Sequence, residues 1–125
     1  MMLADTSAWI AFFEREPGFE RLREPLNTGR AVVTEVVLFE LIPTLRTRRG
    51  LEALVETMLT IPRLPTAPDW DWIRSSQNER AMKGKRLLGL PDWLILDAAR
   101  QNGVPLLTLD RAMADAAMDV GVRLG

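Results

Sequence analysis

The 125 residues include no histidine, no cysteine and no tyrosine. Chemistry that needs imidazole, thiolate or phenol is excluded, including Ser-His-Asp and Cys-His hydrolysis and histidine-based RNA cleavage. Zinc sites of the usual nitrogen and sulfur kind go with them, and no disulfide framework can form. Charge of one sign is also scarce in excess: 16 Lys and Arg against 17 Asp and Glu leave a net charge of -1. No overall basic character therefore advertises a nucleic-acid partner, although a local basic surface stays open. No apolar run approaches the roughly 20 residues that a bilayer crossing requires, so no membrane association is expected. Met1-Met2-Leu3-Ala4-Asp5 reads as neither signal peptide nor anchor, and without cysteine a cytoplasmic protein is the simple expectation.

What is present suits one domain spanning residues 1–125, since 47% hydrophobic and 26% charged residues in 14.1 kDa suffice for a single core. An enzyme of this composition must work with carboxylates, Lys, Arg, Ser, Thr or backbone, together with a hard metal or a bound cofactor. Short strand-like runs alternate with helical patterns and no linker or repeat interrupts them, which argues for βαβ units and a mostly parallel sheet. Strands are expected at Met1 to Ala4, Ala31 to Val33 and Leu106 to Leu109, with brief edge strands at Arg63 to Pro65 and Val122 to Leu124. Helices are expected from Ser7 to Arg15, Phe19 to Leu26, Glu35 to about Arg49, Asp69 to Lys83, Pro91 to about Asn102, and Asp110 to Asp119. Leu51, Leu54, Val55, Met58 and Leu59 fall at i, i+3, i+4, i+7 and i+8, an apolar stripe that predicts a further helix facing the core or a partner.

In a parallel α/β sheet, functional groups collect at the carboxyl ends of strands and in the first turns of the following helices. Asp5 ends the first strand, Asp110 ends the strand Leu106 to Leu109, and Asp92 lies in the turn after Pro91. Glu40 sits in the second turn of its helix, close enough to reach the same edge. At about 5 Å and an effective dielectric of about 20, each carboxylate pair repels by roughly 3 kcal/mol. Such a cluster is consistent only with cations among its members or with some of them protonated. Mg²⁺ or Mn²⁺ suits oxygen-only ligands, and phosphodiester hydrolysis is the reaction that such a site most readily supports. Taken singly, Asp5 and Asp110 read equally as helix N-caps, Asp92 as a complement to a helix dipole, and Glu40 as part of a solvated stripe with Val36, Thr44 and Thr47. Their joint placement at one edge is what points to a site.

Four segments in order resemble the PIN-domain family, and in particular the short VapC-type toxins: Leu3-Ala4-Asp5-Thr6-Ser7-Ala8-Trp9-Ile10, Thr34-Glu35-Val36-Val37-Leu38-Phe39-Glu40-Leu41, Leu90-Pro91-Asp92-Trp93-Leu94-Ile95-Leu96-Asp97-Ala98-Ala99, and Leu106-Leu107-Thr108-Leu109-Asp110-Arg111. The resemblance implies a three-layer α/β/α fold with a central, mostly parallel sheet of four to five strands. It further implies a Mg²⁺- or Mn²⁺-dependent endoribonuclease with Asp5, Glu40, Asp92 and Asp110 as catalytic and metal-binding acids, RNA as substrate, a cognate antitoxin as partner, and a homodimer. Thr6, Ser7, Thr108 and Asp97 are candidate supporting residues, with the Thr6 or Ser7 hydroxyl orienting water or phosphate. Asp97 departs from the family, where the position is ordinarily small and apolar. It stands about 140° round the helix from Asp92, as an extra acid near the site or a surface residue. Ala112-Met113 also replaces the acid and Phe that often follow Asp110-Arg111.

Lys83, Lys85 and Arg86, with Arg80 nearby, are candidate RNA phosphate contacts, read alternatively as charges suited to a helix C-terminus. Asp115 and Asp119, spaced with Arg111, predict a solvated helix face. Trp70 and Trp72, two apart on a helix, predict packing rather than base stacking. Rival readings are a PIN-like nuclease that is not a toxin, and a non-catalytic α/β binding module whose acids are caps. With oxygen ligands alone, activity is expected to rise with pH through carboxylate or bound-water ionisation.

Overall fold

The computed structural model describes residues 1–125. Its elements are β1 (Met2–Ala4), α1 (Thr6–Glu14), a 3₁₀ turn (Phe19–Leu22) continuing into α2 (Arg23–Asn27), β2 (Ala31–Val32), α3 (Glu35–Thr47), α4 (Leu54–Leu59), α5 (Trp70–Met82), α6 (Leu90–Asn102), β3 (Leu106–Leu107) and α7 (Arg111–Asp119). The sheet is parallel with order β2-β1-β3. Met2 and Leu3 stand opposite Ala31 and Val32, and Leu3 and Ala4 opposite Leu106 and Leu107. Parallel bridges from Val33 to Arg63 and from Leu106 to Leu124 add the two brief edge strands expected from the sequence.

Successive strand side chains point to opposite faces. Leu3 and Ala4, Val32 and Val33, and Leu106 and Leu107 are nevertheless all buried. Both faces of the sheet are therefore covered by helices, the three-layer arrangement of a parallel α/β protein. Because every strand runs the same way, the turns leaving β1, β2 and β3 open at one edge.

Three expectations are corrected. The segment from Phe19 to Asn27 is two pieces, because Pro25 lacks an N–H and suits the first turn of a new helix after the 3₁₀ turn. The striped helix is shorter than its pattern, starting at Leu54, since the chain turns through Gly50 at φ 83°. Val55 and Met58 reach the core while Leu59 stays exposed. Asp115 and Asp119 do not form a free solvated face: Asp115 pairs with buried Arg80 at 3.0 Å, and Asp119 with Lys85 at 2.8 Å. Trp72 packs edge-on against Trp93 with centroids 5.9 Å apart, and the Arg100 guanidinium lies 4.1 Å from the Trp72 ring centroid.

Asp97 is neither a surface residue nor directed to the other acids. It is buried, and it accepts from the Asp69 backbone N–H at 2.9 Å, from Arg100 at 2.7 Å and from Gln101 at 2.8 Å. The carboxylate thus joins the start of α5 to α6. Removing it leaves three donors without their acceptor, so Asp97→Ala is expected to lower the unfolding free energy by about 2 to 4 kcal/mol in a urea titration. A loss below about 0.5 kcal/mol, the range of an ordinary surface substitution, would show that this junction does not depend on Asp97.

Candidate active site

Asp5 leaves β1 and caps α1. Its Oδ1 accepts from the Ala8 backbone N–H at 3.0 Å and from the Ser7 hydroxyl at 2.6 Å, and its Oδ2 accepts from the Thr108 hydroxyl. Thr108 follows β3, and its Oγ1 also accepts the Asp110 backbone N–H at 3.1 Å. Ser7 Oγ in turn accepts the Leu109 N–H at 3.1 Å. The Ser7 hydroxyl thus bridges the Asp5 carboxylate and the backbone after Thr108. These bonds connect the turn after β1 to the turn after β3, although more than 100 residues separate them in sequence.

Asp110 caps α7, accepting from Met113 N–H at 3.0 Å, and is exposed. Glu40, half-buried on α3, accepts the Thr6 hydroxyl at 2.8 Å. Asp92 stands half-buried in the first turn of α6, a helix whose Trp93, Ile95 and Leu96 are buried as its apolar sequence predicts. Gly89 caps this helix and Gly103 ends it at φ 63°.

The electrostatics of Asp92 register the other three acids. Burial raises the Asp92 pKa most, and the charges of Glu40, Asp110 and Asp5 raise it further, from 3.8 to about 6, with Arg86 opposing. Asp5 is also raised, by burial first and by Asp110, against the lowering effect of its hydrogen bonds. No three of these carboxylates form a ready-made metal-binding group as their side chains stand. Glu40 and Asp110 each use one oxygen instead, on Thr6 and on the α7 N-terminus. The donor chemistry still fits a hard divalent cation, since every donor is oxygen and positive charge would relieve the part of the Asp92 shift that Glu40, Asp110 and Asp5 add.

Of the basic candidates, Lys83 pairs with Glu79 at 3.5 Å, and Lys85 with Asp119 and Asp115. Arg86 is exposed and its charge is felt at Asp92. Gln77, which no sequence motif singles out, bonds both the residue after Arg86-Leu87 and the Trp93 indole.

The profile of the PIN domain matches residues 2–118. No curated protein matches the chain in sequence. Among solved structures, the fold is similar to the DNA-bound VapBC of Salmonella typhimurium, with a TM-score of 0.75 and 25% identity over 99% of this chain and 96% of that one. It is also similar to FitAcB of Neisseria gonorrhoeae at TM-score 0.70 and 19% identity, and to VapBC2 of Rickettsia felis bound to a promoter fragment at 0.69 and 15%, each with 99% of this chain and 96% of the other covered.

A raised carboxyl pKa means that the folded protein holds a proton which the unfolded chain has released, so this contribution to stability falls as pH rises from about 4 to about 6. The full shift would be worth about 3 kcal/mol, and solvent screening of half-buried Asp92 reduces it to roughly 1 kcal/mol. Metal-free Asp92→Asn is therefore expected to gain stability relative to the unsubstituted protein as pH rises through that window. Mn²⁺ should stabilise the unsubstituted protein more than the variant. Thermal denaturation in EDTA and in Mn²⁺ measures both, and a difference independent of pH would contradict the raised Asp92 pKa.

Proposed function

This chain belongs to the PIN-domain family, and from that premise we propose that it is a Mg²⁺- or Mn²⁺-dependent endoribonuclease and the toxin member of a toxin–antitoxin pair. The observation that carries the reading is the PIN-family match over residues 2–118, with Asp5, Asp92 and Asp110 each at the start of a helix. PIN-family membership supports nuclease chemistry, and the likeness to the VapBC complex over nearly the whole of both chains supports the toxin assignment. Its partners are then RNA, a cognate antitoxin and a second copy of the chain, in the cytoplasm.

In this reading Asp5 and Asp92 hold the principal cation, while Glu40 and Asp110 complete the acidic set. When bound, Mg²⁺ or Mn²⁺ supplies Lewis acidity at the phosphate and lowers the pKa of water. The chain's own residues do the positioning. Ser7, Thr108 and the Ala8 N–H fix both oxygens of Asp5. Thr6 fixes Glu40. Arg86 offers a cation to an RNA phosphate beside Asp92. Ionisation of Asp92 provides the negative charge that attracts the metal, and no imidazole titration enters the pH profile because the chain has none.

Purified protein is expected to cleave RNA with Mn²⁺ or Mg²⁺, to stop with EDTA, and to lose at least about 100-fold in rate as Asp92→Asn, a typical cost for a group acting on developing charge. Equal cleavage by Asp92→Asn would overturn the assignment. Expression should arrest growth, with relief by the product of a small adjacent gene. Cleavage without arrest would favour an RNA-processing nuclease.

A further inference from the structure

Residues 83–89 join α5 to α6 without regular secondary structure and end at Gly89, the cap of the helix that carries Asp92. Backbone groups in such a segment need partners, and two side chains of α5 supply them. Gln77 acts as a neighbouring strand would: its Nε2 donates to the Leu88 carbonyl at 2.6 Å and its Oε1 accepts the Leu88 N–H at 3.3 Å. The same Oε1 accepts the Trp93 indole N–H at 2.8 Å, so the first turn of α6 is gripped as well. Nearly one turn further along α5, Arg80 Nε donates to the Arg86 carbonyl at 2.9 Å, and the Arg80 carbonyl accepts the Lys85 N–H at 3.0 Å. The backbone on either side of the exposed Arg86 side chain is thus fixed at residues 85, 86 and 88.

Arg80 is only 4% exposed, and a buried guanidinium is costly unless paired. Asp115 and Asp119 of α7 lie at 3.0 and 3.5 Å from it. Lys85 joins the same two carboxylates at 3.3 and 2.8 Å, giving two cations and two anions. Asp110 is the N-cap of that same α7. One side chain therefore ties α5 to the segment leading to Asp92 and to the helix that follows Asp110. Apolar packing would join α5 to α7 with less desolvation. It would not orient the carbonyls of Arg86 and Leu88.

We propose that Gln77 and Arg80 are positioning residues that fix the backbone presenting Arg86 in the segment leading to Asp92, so that its exposed guanidinium contacts a phosphate of the RNA strand. The RNA part rests on the nuclease reading above; the positioning part rests on these bonds. Arg80→Lys keeps the charge and loses the Nε–H, and Gln77→Glu keeps the acceptor and loses the donor, so both test the clamp with little change in volume.

With RNA and Mn²⁺, each is expected to raise KM about tenfold while kcat stays within about threefold, the effect of one charge-assisted hydrogen bond lost from substrate binding. Combined with Arg86→Ala, Arg80→Lys should add less than about twofold, because its effect runs through Arg86. Hydrogen exchange on the metal-free full chain should quicken in residues 83–90 while β1 keeps its protection. Additive KM losses, or exchange in that segment as slow as in the unsubstituted protein, would overturn the proposal. Absence of cleavage by the unsubstituted protein would instead sink the nuclease reading. The exchange measurement then decides by itself whether Gln77 and Arg80 hold the segment.

Discussion

A carboxylate buried at the end of the central strand is the constraint around which the rest is arranged. Asp5 sits where β1 gives way to α1, with its charged form penalised by burial. Three donors compensate, and they come from both sides of the gap between the first and last parts of the chain: Ser7 and Ala8 from α1, Thr108 from the turn after β3. Thr108 and Ser7 each use their remaining capacity on a backbone N–H, of Asp110 and Leu109. Together with the Asp5 N–H donated to Leu107 at 3.0 Å, these bonds set the register between β1 and β3. Closing the fold and aligning two acids are here one event.

How much of this could be read beforehand depends on the range of the interaction. Alternation of strand and helix and the runs at Leu3, Val32 and Leu106 carry local information, and the parallel sheet with two short edges follows from them. Helix ends marked by local chemistry, Thr34 and Asp110 at starts and Gly103 at a stop, are where expected. Periodicity misled at Leu51, because an apolar stripe says which face would be buried and not where the preceding turn releases the chain. The helix Pro91 to Asn102 was legible for a different reason, since a segment apolar on every side has to be interior.

Side-chain partnerships between distant segments were not legible. Asp97 differs from Asp92 only in its place on one helix, yet the first is absorbed by Asp69, Arg100 and Gln101 and the second is left among like charges. Nothing in the local sequence distinguishes them except the angle between their positions. Arg80, Lys83, Lys85 and Arg86 look like a single basic run, but folding divides them. Arg80 and Lys85 neutralise α7 and Lys83 turns to Glu79. Only the acids of a helix 30 residues further on reveal that division.

The acids that read alternatively as caps and as site residues do stand at helix starts, and helix electrostatics explain what that placement does. Asp5 caps α1, Asp110 caps α7, and Asp92 lies in the first turn of α6. Three positive helix ends thus face one edge of the sheet. Each such end favours a nearby carboxylate by about 0.3 to 1 kcal/mol. Each carboxylate pair at about 5 Å costs roughly 3 kcal/mol at an effective dielectric of about 20. The helix ends therefore make the placement of each acid tolerable without cancelling the repulsion among them, and at Asp92 the neighbouring acids add to a pKa that burial already raises. Under the nuclease reading proposed above, a cation at this edge would relieve that repulsion, and the all-oxygen composition of the chain's possible ligands would suit a hard one.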